Sequence, residues 1–461
     1  MSEKGIPYHL NFYKNRQSKT KNLHMKPKLI YFSMLTLLFT LSCKKKSTPN
    51  SGDSNNTSPN IVFIIADDMG WDAFGHYPNI NSTKANTPTL DSLANNGITF
   101  TNYWVNPECS PTRAAMLTGK YGFRTGVGTA GGIMQSSETV IQKYITDKTN
   151  NKYSNAVIGK WHVSGGANLS APESFGVQYY SGFLVGAVPD YFNWTQTSNG
   201  TQQNITTYTT THFINQASTW VKQQTKPFFL WLALNAPHSP FHRPPLNLIT
   251  NQTLVDNQAT INANPLPYYL AAIEAMDKEI GRLIGSMTAS QKENTVFVIM
   301  GDNGTPTQVA QAPYSSTKAK SSLYQGGINT PLIICGKNVT RKNISENALV
   351  QSPDMFTTFA DITGAGSANY QDGISLKPLF TNASATKRTF AYSEFFGNTP
   401  STNDGYTLRN ENYKYIKLQS GTEYLYKLSN DPFEVTNLIL NPLTVEAQQN
   451  LDALKAIKAT L

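Results

Sequence analysis

The chain has 461 residues, enough for one large α/β domain and a smaller companion with ample core. Its formal charge of +9 suggests nucleic acid or an acidic polymer only until the charges are located: ten of the 38 lysines and arginines, but two of the 29 acids, fall in residues 1–60. The remaining chain is close to neutral, so nothing in it argues for nucleic-acid binding, and three cysteines do not indicate a disulfide framework.

The first sixty residues read as an export leader. Lys26 and Lys28 form a basic start, and Leu29 to Leu41 is an apolar run of signal-peptide length, too short for a comfortable membrane span. Ser42-Cys43 closes it, followed by Lys44-Lys45-Lys46 and a Ser/Thr/Asn/Pro-rich stretch. This resembles a bacterial lipoprotein signal with Cys43 as the lipidated first residue, although Thr40 stands where such signals prefer leucine. An ordinary secretory signal is the alternative, and Met25 is a second candidate start. The expected organisation is a signal region over 1–42 and a disordered linker over 43–59. The expected address is the periplasm or a lipid anchor in the outer membrane of a bacterium, or else free secretion.

Downstream, apolar runs end in reactive side chains. Ile61 to Ala66 reads as a buried strand running into Asp67-Asp68. A helix opens at Thr87-Pro88 and buries Leu90, Leu93 and Ala94 before Gly97. A second helix begins at Cys109, with Pro111 in its first turn and Gly119 at its end, in the string CSPTRAAMLTGK from Cys109 to Lys120. That places Cys109 where unpaired N–H groups and the positive end of the helix dipole suit an anion. Asn155 to Ile158 leads into Gly159-Lys160-Trp161-His162, and Phe228 to Leu234 leads into Asn235-Ala236-Pro237-His238. Between them, Gly166 to Thr211 is rich in Gly, Asn, Thr and Ser but holds Tyr179, Tyr180, Phe183, Tyr191, Phe192 and Trp194, which either stack on sugar rings or pack the loop down. His242 and Arg243 either meet an anionic neighbour or face solvent. A helix from about Tyr268 to Met287 carries Tyr269, Ile273, Met276, Ile280 and Leu283 on one face, and Thr295 to Met300 leads into Gly301-Asp302-Asn303-Gly304. Cys335, in an apolar run, reads as a buried inert thiol.

Strand ends normally carry Asp, Asn and Gly as turn residues, so any one of these clusters is unremarkable alone. Four of them, with Cys109 at a helix start, describe an α/β sheet whose carboxyl edge carries a site. Asp67, Asp68, Asp302 and Asn303 offer only hard oxygens, which suit Ca²⁺ or Mg²⁺ better than zinc, and clustered carboxylates without a cation would repel one another.

The CSPTRAAMLTGK string resembles the signature of type I sulfatases, members of the alkaline-phosphatase superfamily, in which the cysteine is oxidised to formylglycine (3-oxoalanine) by a maturation enzyme. The resemblance runs from about Asn60 to the C-terminus. It extends to the two Asp/Asn pairs and to Cys109 as ligands of one calcium ion, with Mg²⁺ the second choice. It also covers Gly-Lys-Trp-His at 159–162, His238, and Lys320 ahead of Gln325-Gly326-Gly327. Gln325 replaces the usual glutamate and Asn329 the usual arginine, departures expected to alter the substrate mouth. The closing segment, Glu423 to Leu428, Asn430 to Glu434 and Thr436 to Leu438, resembles the family's last strand and turn. The implied fold is a large, mixed, mostly parallel sheet sandwiched by helices over 60–387. A smaller α+β subdomain follows over 388–461, with an antiparallel sheet and a final helix capped by Thr444 that buries Ala447, Leu451, Leu454 and Leu461.

The implied reaction is sulfate-ester hydrolysis by the hydrated aldehyde. Asp302 takes the proton of the attacking hydroxyl, while Lys160, Lys320, Arg113 and the metal spread the charge on the sulfate oxygens. His238, with Lys320, protonates the departing alcohol, and His162 removes the proton that lets sulfate leave. Lys160, His238 and Lys320 thus also bind substrate. An exported sulfatase fits a sulfated polysaccharide or oligosaccharide. The alternatives are a phosphodiester or phosphonate monoester hydrolase on the same fold, and a catalytically inactive glycan-binding lipoprotein.

Overall fold

The computed structural model describes residues 58–76, 80–366 and 369–461. The leader, Cys43 and most of the 43–59 stretch lie outside the described residues. Ten strands form one sheet: β1 (Asn60–Asp67), β2 (Gly97–Trp104), β3 (Ser154–Lys160), β4 (Tyr180–Phe183), β5 (Trp194–Ser198), β6 (Thr201–Ile205), β7 (Phe228–Pro237), β8 (Thr295–Gly301), β9 (Leu332–Gly336) and β10 (Ile344–Gln351). Their order is β10-β2-β9-β8-β1-β7-β3-β4-β5-β6. The central run β8-β1-β7-β3-β4 is parallel throughout, whereas β9, β5 and β6 pair antiparallel with their neighbours.

β1 shows why a continuous apolar run was required. Val62, Ile64 and Ala66 enter one core and Ile61, Phe63 and Ile65 the other, and all six are fully buried. The first core is closed by the helices Pro88–Asn95, Thr209–Lys222 and Leu266–Ser286, the second by Cys109–Thr118, Ile141–Lys148 and Asp354–Thr363. All five residues expected on the inner face of the long helix are buried, while Leu93 of the first helix is only half-buried against its core. The Cys109 helix ends at Gly119, whose left-handed φ of 72° directs its N–H to Ala115 O. Cys335 is buried, and burial pushes its thiol up to about 12.

Beyond a two-stranded ribbon (β11, Asn369–Tyr370, and β12, Gly373–Ile374), a second sheet forms a separate antiparallel meander. It comprises β13 (Ala391–Phe395), β14 (Gly405–Arg409), β15 (Tyr413–Leu418) and β16 (Glu423–Lys427). Its Tyr392, Leu408, Tyr413, Tyr415 and Leu425 pack on Ala447, Leu451 and Leu454 of the last helix, Val445–Thr460, with Leu461 at the margin. Thr444 caps that helix by accepting from Ala447 N at 3.2 Å. The turn after β16 is fastened to β15 and to the short helix Gln325–Ile328. Glu434 pairs with buried Lys414 at 2.6 Å, and its other carboxylate oxygen accepts from Gln325 N at 2.6 Å.

Candidate active site

Every group expected at the carboxyl edge of the sheet is there. Asp67 ends β1, and the chain then turns sharply at Asp68, which has φ 72°. A left-handed non-glycine residue is disfavoured and persists where its surroundings hold it. Here Asp68 N donates to Asp302 Oδ1 at 3.1 Å, and Tyr269 Oη donates to Asp68 O at 2.8 Å. β3 continues through Gly159 to Lys160, further than the apolar run alone suggested. Gly159 has φ 108°, and a Cβ on it would lie 1.8 Å from Ala233 O of β7, so only glycine lets the two strands pass. His162 follows, again left-handed at φ 61°.

The helix supplies two groups on one face. Cys109 and Arg113 are four residues apart, one turn along the helix. Arg113 is 1% exposed, and its Nε and Nη2 donate to Asp302 Oδ2 at 3.1 and 2.7 Å while Nη1 donates to Lys160 O at 2.9 Å. Cys109 Sγ lies 3.2 Å from His162 Nδ1. Lys160 Nζ donates to Asp67 Oδ2 at 2.7 Å, and Lys320 Nζ to Asp68 Oδ1 at 2.5 Å. Asn303 Nδ2 donates to the same Asp68 oxygen at 2.6 Å, and His238 Nε2 stands 3.6 Å from Asp68 Oδ2. Three carboxylates are therefore interleaved with three permanent cations, which accounts for their burial.

The electrostatics follow from that interleaving. Burial alone would raise the Asp68 carboxyl, but His238, Lys320 and Lys160 hold it well below the usual carboxylate range. Burial and the neighbouring Asp67 raise Asp302 in spite of Arg113 and Lys160. Burial, then the charges of Lys160 and Arg113, press the His162 imidazole down to about 2, so it is a neutral base. Burial, opposed by Lys160 and reinforced by Asp67 and Asp302, raises the Cys109 thiol.

A hard cation fits this donor set. Ligand atoms of Asp67, Cys109 and Asp302 lie within 4.8 Å of one another, as do those of Asp67, Asp68 and His238. Asp67 Oδ1 and Asn303 Oδ1 are buried oxygens with no hydrogen-bond partner. Orphaned acceptors of this kind are costly unless something electropositive meets them.

Two expectations need correction, for Gln325 with Asn329 and for His242, and two open alternatives are resolved, for the loop aromatics and for Arg243. Gln325 and Asn329 are 4% and 1% exposed and do not line a mouth. Gln325 Oε1 accepts from Trp104 Nε1 at 2.9 Å, and Asn329 Nδ2 donates to Thr101 O at 3.1 Å, both partners on β2. Most aromatics of 166–211 serve packing: Tyr180, Phe183, Tyr191 and Trp194 are buried and Tyr179 half-buried, leaving Phe192 exposed. His242, half-buried, stacks on Tyr191 at 3.8 Å, and its nitrogens lie at bonding distance from Pro240 O and Tyr208 Oη, so both are taken within the chain and not by an anionic neighbour. The Arg243 charge is taken by Asp256 at 3.0 Å.

Two neighbours of the cysteine escaped the sequence reading. Glu108 caps nothing with its side chain and instead bonds to Thr129, Ala130 and Ser321, while Ser110 bonds to His162 O and Gly131 N. The acid directly before Cys109 was the available signal, and its partners are remote in sequence.

Comparison with known proteins places this constellation. The chain matches the Sulfatase family over residues 59–365 and, over 318–459, the family described as N-sulphoglucosamine sulphohydrolase, C-terminal. It is 26% identical over 470 residues to the ulvan-active sulfatase of Formosa agariphila, covering 96% of this chain and 89% of that protein. It is 26% identical over 378 residues to the N-acetylgalactosamine-6-sulfatase of Sus scrofa, covering 74% and 69% respectively. Its fold is shared with Ps i-CgsB in complex with k-i-k-neocarrahexaose, at a TM-score of 0.72 and 23% identity over 87% of this chain and 92% of that one. It is likewise shared with BT4656 in complex with its substrate D-glucosamine-2-N,6-O-disulfate, at 0.70 and 20% over 87% and 98%. With the family match spanning the main sheet and the edge that bears Cys109, this chain belongs to the sulfatase family and is an enzyme of that kind.

Proposed function

We propose that the chain hydrolyses sulfate esters on a sulfated polysaccharide or oligosaccharide, using formylglycine made from Cys109 and one Ca²⁺ ion. The observation that carries this reading is the convergence of Arg113, Lys160 and Lys320 with Asp67, Asp68 and Asp302 around Cys109. The sulfated-sugar half of the reading is supported by relatives named as an ulvan-active sulfatase and an N-acetylgalactosamine-6-sulfatase, and by a structural neighbour whose bound substrate is D-glucosamine-2-N,6-O-disulfate. Asp67, Asp68, Asp302, Asn303 and residue 109 would hold the ion, and calcium suits their irregular oxygen set better than the strictly octahedral Mg²⁺.

When present, the aldehyde supplies the reacting hydroxyl and the ion supplies Lewis-acid stabilisation. The chain's own residues do the rest. Arg113, Lys160 and Lys320 bind the sulfate oxygens and stabilise the charge that develops on them. Asp302 accepts a proton at a carboxylate whose affinity burial has raised. His238 Nε2 and Lys320 deliver a proton to the departing alcohol. His162 Nδ1, neutral and 3.2 Å from the side chain of residue 109, takes the proton that releases sulfate. We place the catalytic domain at 60–387 and the companion subdomain at 388–461. Export to the periplasm, with Cys43 lipidated at the outer membrane or the chain secreted free, completes the reading.

The test is a peptide mass across Cys109 after co-expression with a formylglycine-generating enzyme, followed by sulfate release from an aryl sulfate with and without chelator. Aldehyde mass and chelator-sensitive release are expected. An unmodified thiol despite active maturation, or an aldehyde that releases no sulfate, would overturn the proposal.

A further inference from the structure

The geometry assigns a positioning role to Glu108: its carboxylate holds the Lys320 segment in register with the reactive residue at 109. This rests on the sulfatase reading above and adds to it a residue that sets the efficiency of alcohol departure.

Lys320 projects from a loop that belongs to no strand or long helix. Its amine is held at the far end by Asp68 Oδ1 at 2.5 Å, and the placement of its backbone sets how the stem reaches that point. Lys320 N donates to Thr305 O at 3.0 Å, which fixes one side. The next residue, Ser321, has φ 65°, a left-handed conformation that a serine keeps only when held. Two bonds hold it, and both come from the residues just before Cys109. Ser321 N donates to Pro107 O at 3.0 Å, and Ser321 Oγ donates to Glu108 Oε1 at 2.9 Å.

The second carboxylate oxygen of Glu108 reaches a different segment of the chain. It accepts from Thr129 Oγ1 at 2.9 Å and from Ala130 N at 2.5 Å. Among the described residues no cation forms an ion pair with Glu108, so its bonds to neutral donors are what orient it. Ser110 makes a matching link on the far side of Cys109. Its Oγ donates to His162 O at 2.7 Å and accepts from Gly131 N at 2.9 Å. The two left-handed residues beside the basic groups, Ser321 and His162, are thus each tied to an immediate neighbour of Cys109. A reaction that needs its acid and its attacking group in fixed relation gains from building both on one rigid helix start.

Without the Glu108 carboxylate, Ser321 loses its side-chain anchor while Lys320 keeps its bonds to Thr305 O and Asp68 Oδ1, so the lysine is held less firmly toward the departing oxygen. The effect should grow with the need for a proton on that oxygen. A sugar or alkyl sulfate, with a poor leaving group, should suffer more than an aryl sulfate whose phenolate leaves unaided.

The experiment compares Glu108→Ala and Glu108→Gln with the parent, all matured alike, with turnover expressed per aldehyde counted by peptide mass. Glu108→Ala is expected to lose about tenfold on an alkyl sulfate but no more than about twofold on 4-nitrophenyl sulfate. Glu108→Gln keeps an acceptor for Ser321 Oγ and should recover most of the loss. An equal loss on both substrates, or a loss confined to aldehyde content, would overturn the assignment. If Glu108→Ala shows no cooperative melting transition, Ser321→Ala replaces it, with the same substrate contrast expected. A parent that carries aldehyde yet releases no sulfate from either compound overturns the sulfatase reading. A parent that turns over both, with Glu108→Ala unchanged, overturns the Glu108 assignment alone.

Discussion

Replacing Arg113 by methionine removes a cation while keeping most of its stem, and the structure sets the size of the effect. Arg113 and Asp302 are 1% and 0% exposed, and the guanidinium spends three N–H groups on Asp302 Oδ2 and Lys160 O at 2.7 to 3.1 Å. Its charge also stands 3.9 Å from Asp67 Oδ2. Breaking a buried pair from one side leaves the partner charge uncompensated and costs about 3–5 kcal/mol. The same change at Arg243 is the internal control. That side chain and its partner Asp256 are 29% and 64% exposed, and a pair so wet contributes less than about 1 kcal/mol. Urea unfolding of both variants in chelator, followed by tryptophan fluorescence, gives the comparison. Calcium is then added: saturation at about a hundred times its dissociation constant stabilises the parent by about 2.7 kcal/mol, and Arg113→Met should gain more because the ion restores positive charge between Asp67 and Asp302. Equal losses for Arg113→Met and Arg243→Met in chelator would refute the reasoning. So would a calcium gain in Arg113→Met no larger than in the parent.

Further outcomes follow from the same geometry. His162→Ala and Asp302→Asn should each lower turnover per aldehyde by about 10²–10⁴, measured as sulfate release, and near-normal turnover removes that residue from its proton-transfer role. Burial pushes the Glu394 carboxyl up to about 7 from 4.5, although it accepts from Phe123 N at 2.8 Å and lies 2.9 Å from Tyr392 Oη. The folded chain then keeps a proton that the unfolded chain has already lost. Stability should therefore fall by roughly 3 kcal/mol as pH rises from the unfolded value to the folded one, and Glu394→Gln should flatten that decline in urea titrations. Phe192, 39% exposed beside Tyr208 and His242, offers a ring face to a sugar. Phe192→Ala should raise KM for a sulfated oligosaccharide and leave small aryl sulfates unaffected, and equal effects on both would assign it to packing.

The sequence alone determined the strand ends and what they carry. A strand buried on both faces admits only apolar residues, so β1, β7 and β8 stand out as unbroken runs and the first polar residues mark the edge where a site can lie. Helix chemistry is equally local, which is why Gly119 and Thr444 could be assigned their roles in ending and capping. Pairing is not local. That β9 runs antiparallel between β2 and β8, and that the turn at Glu434 fastens to Gln325, depends on segments meeting from distant parts of the chain. The same holds for the loop aromatics, most of which burial assigned to packing, and for His242, whose partners Tyr191 and Tyr208 come beside it only in the folded chain. Gln325 and Asn329 stand out in the sequence as departures from the family pattern and so suggest an altered mouth, yet both are buried and their amides bond in the interior. Glu108 was visible as a residue and silent as a function, since its partners Ser321, Thr129 and Ala130 come beside it only when the chain is folded. Residue type and period are written in neighbours along the chain, whereas the partner of a buried charge or hydrogen bond is chosen by packing.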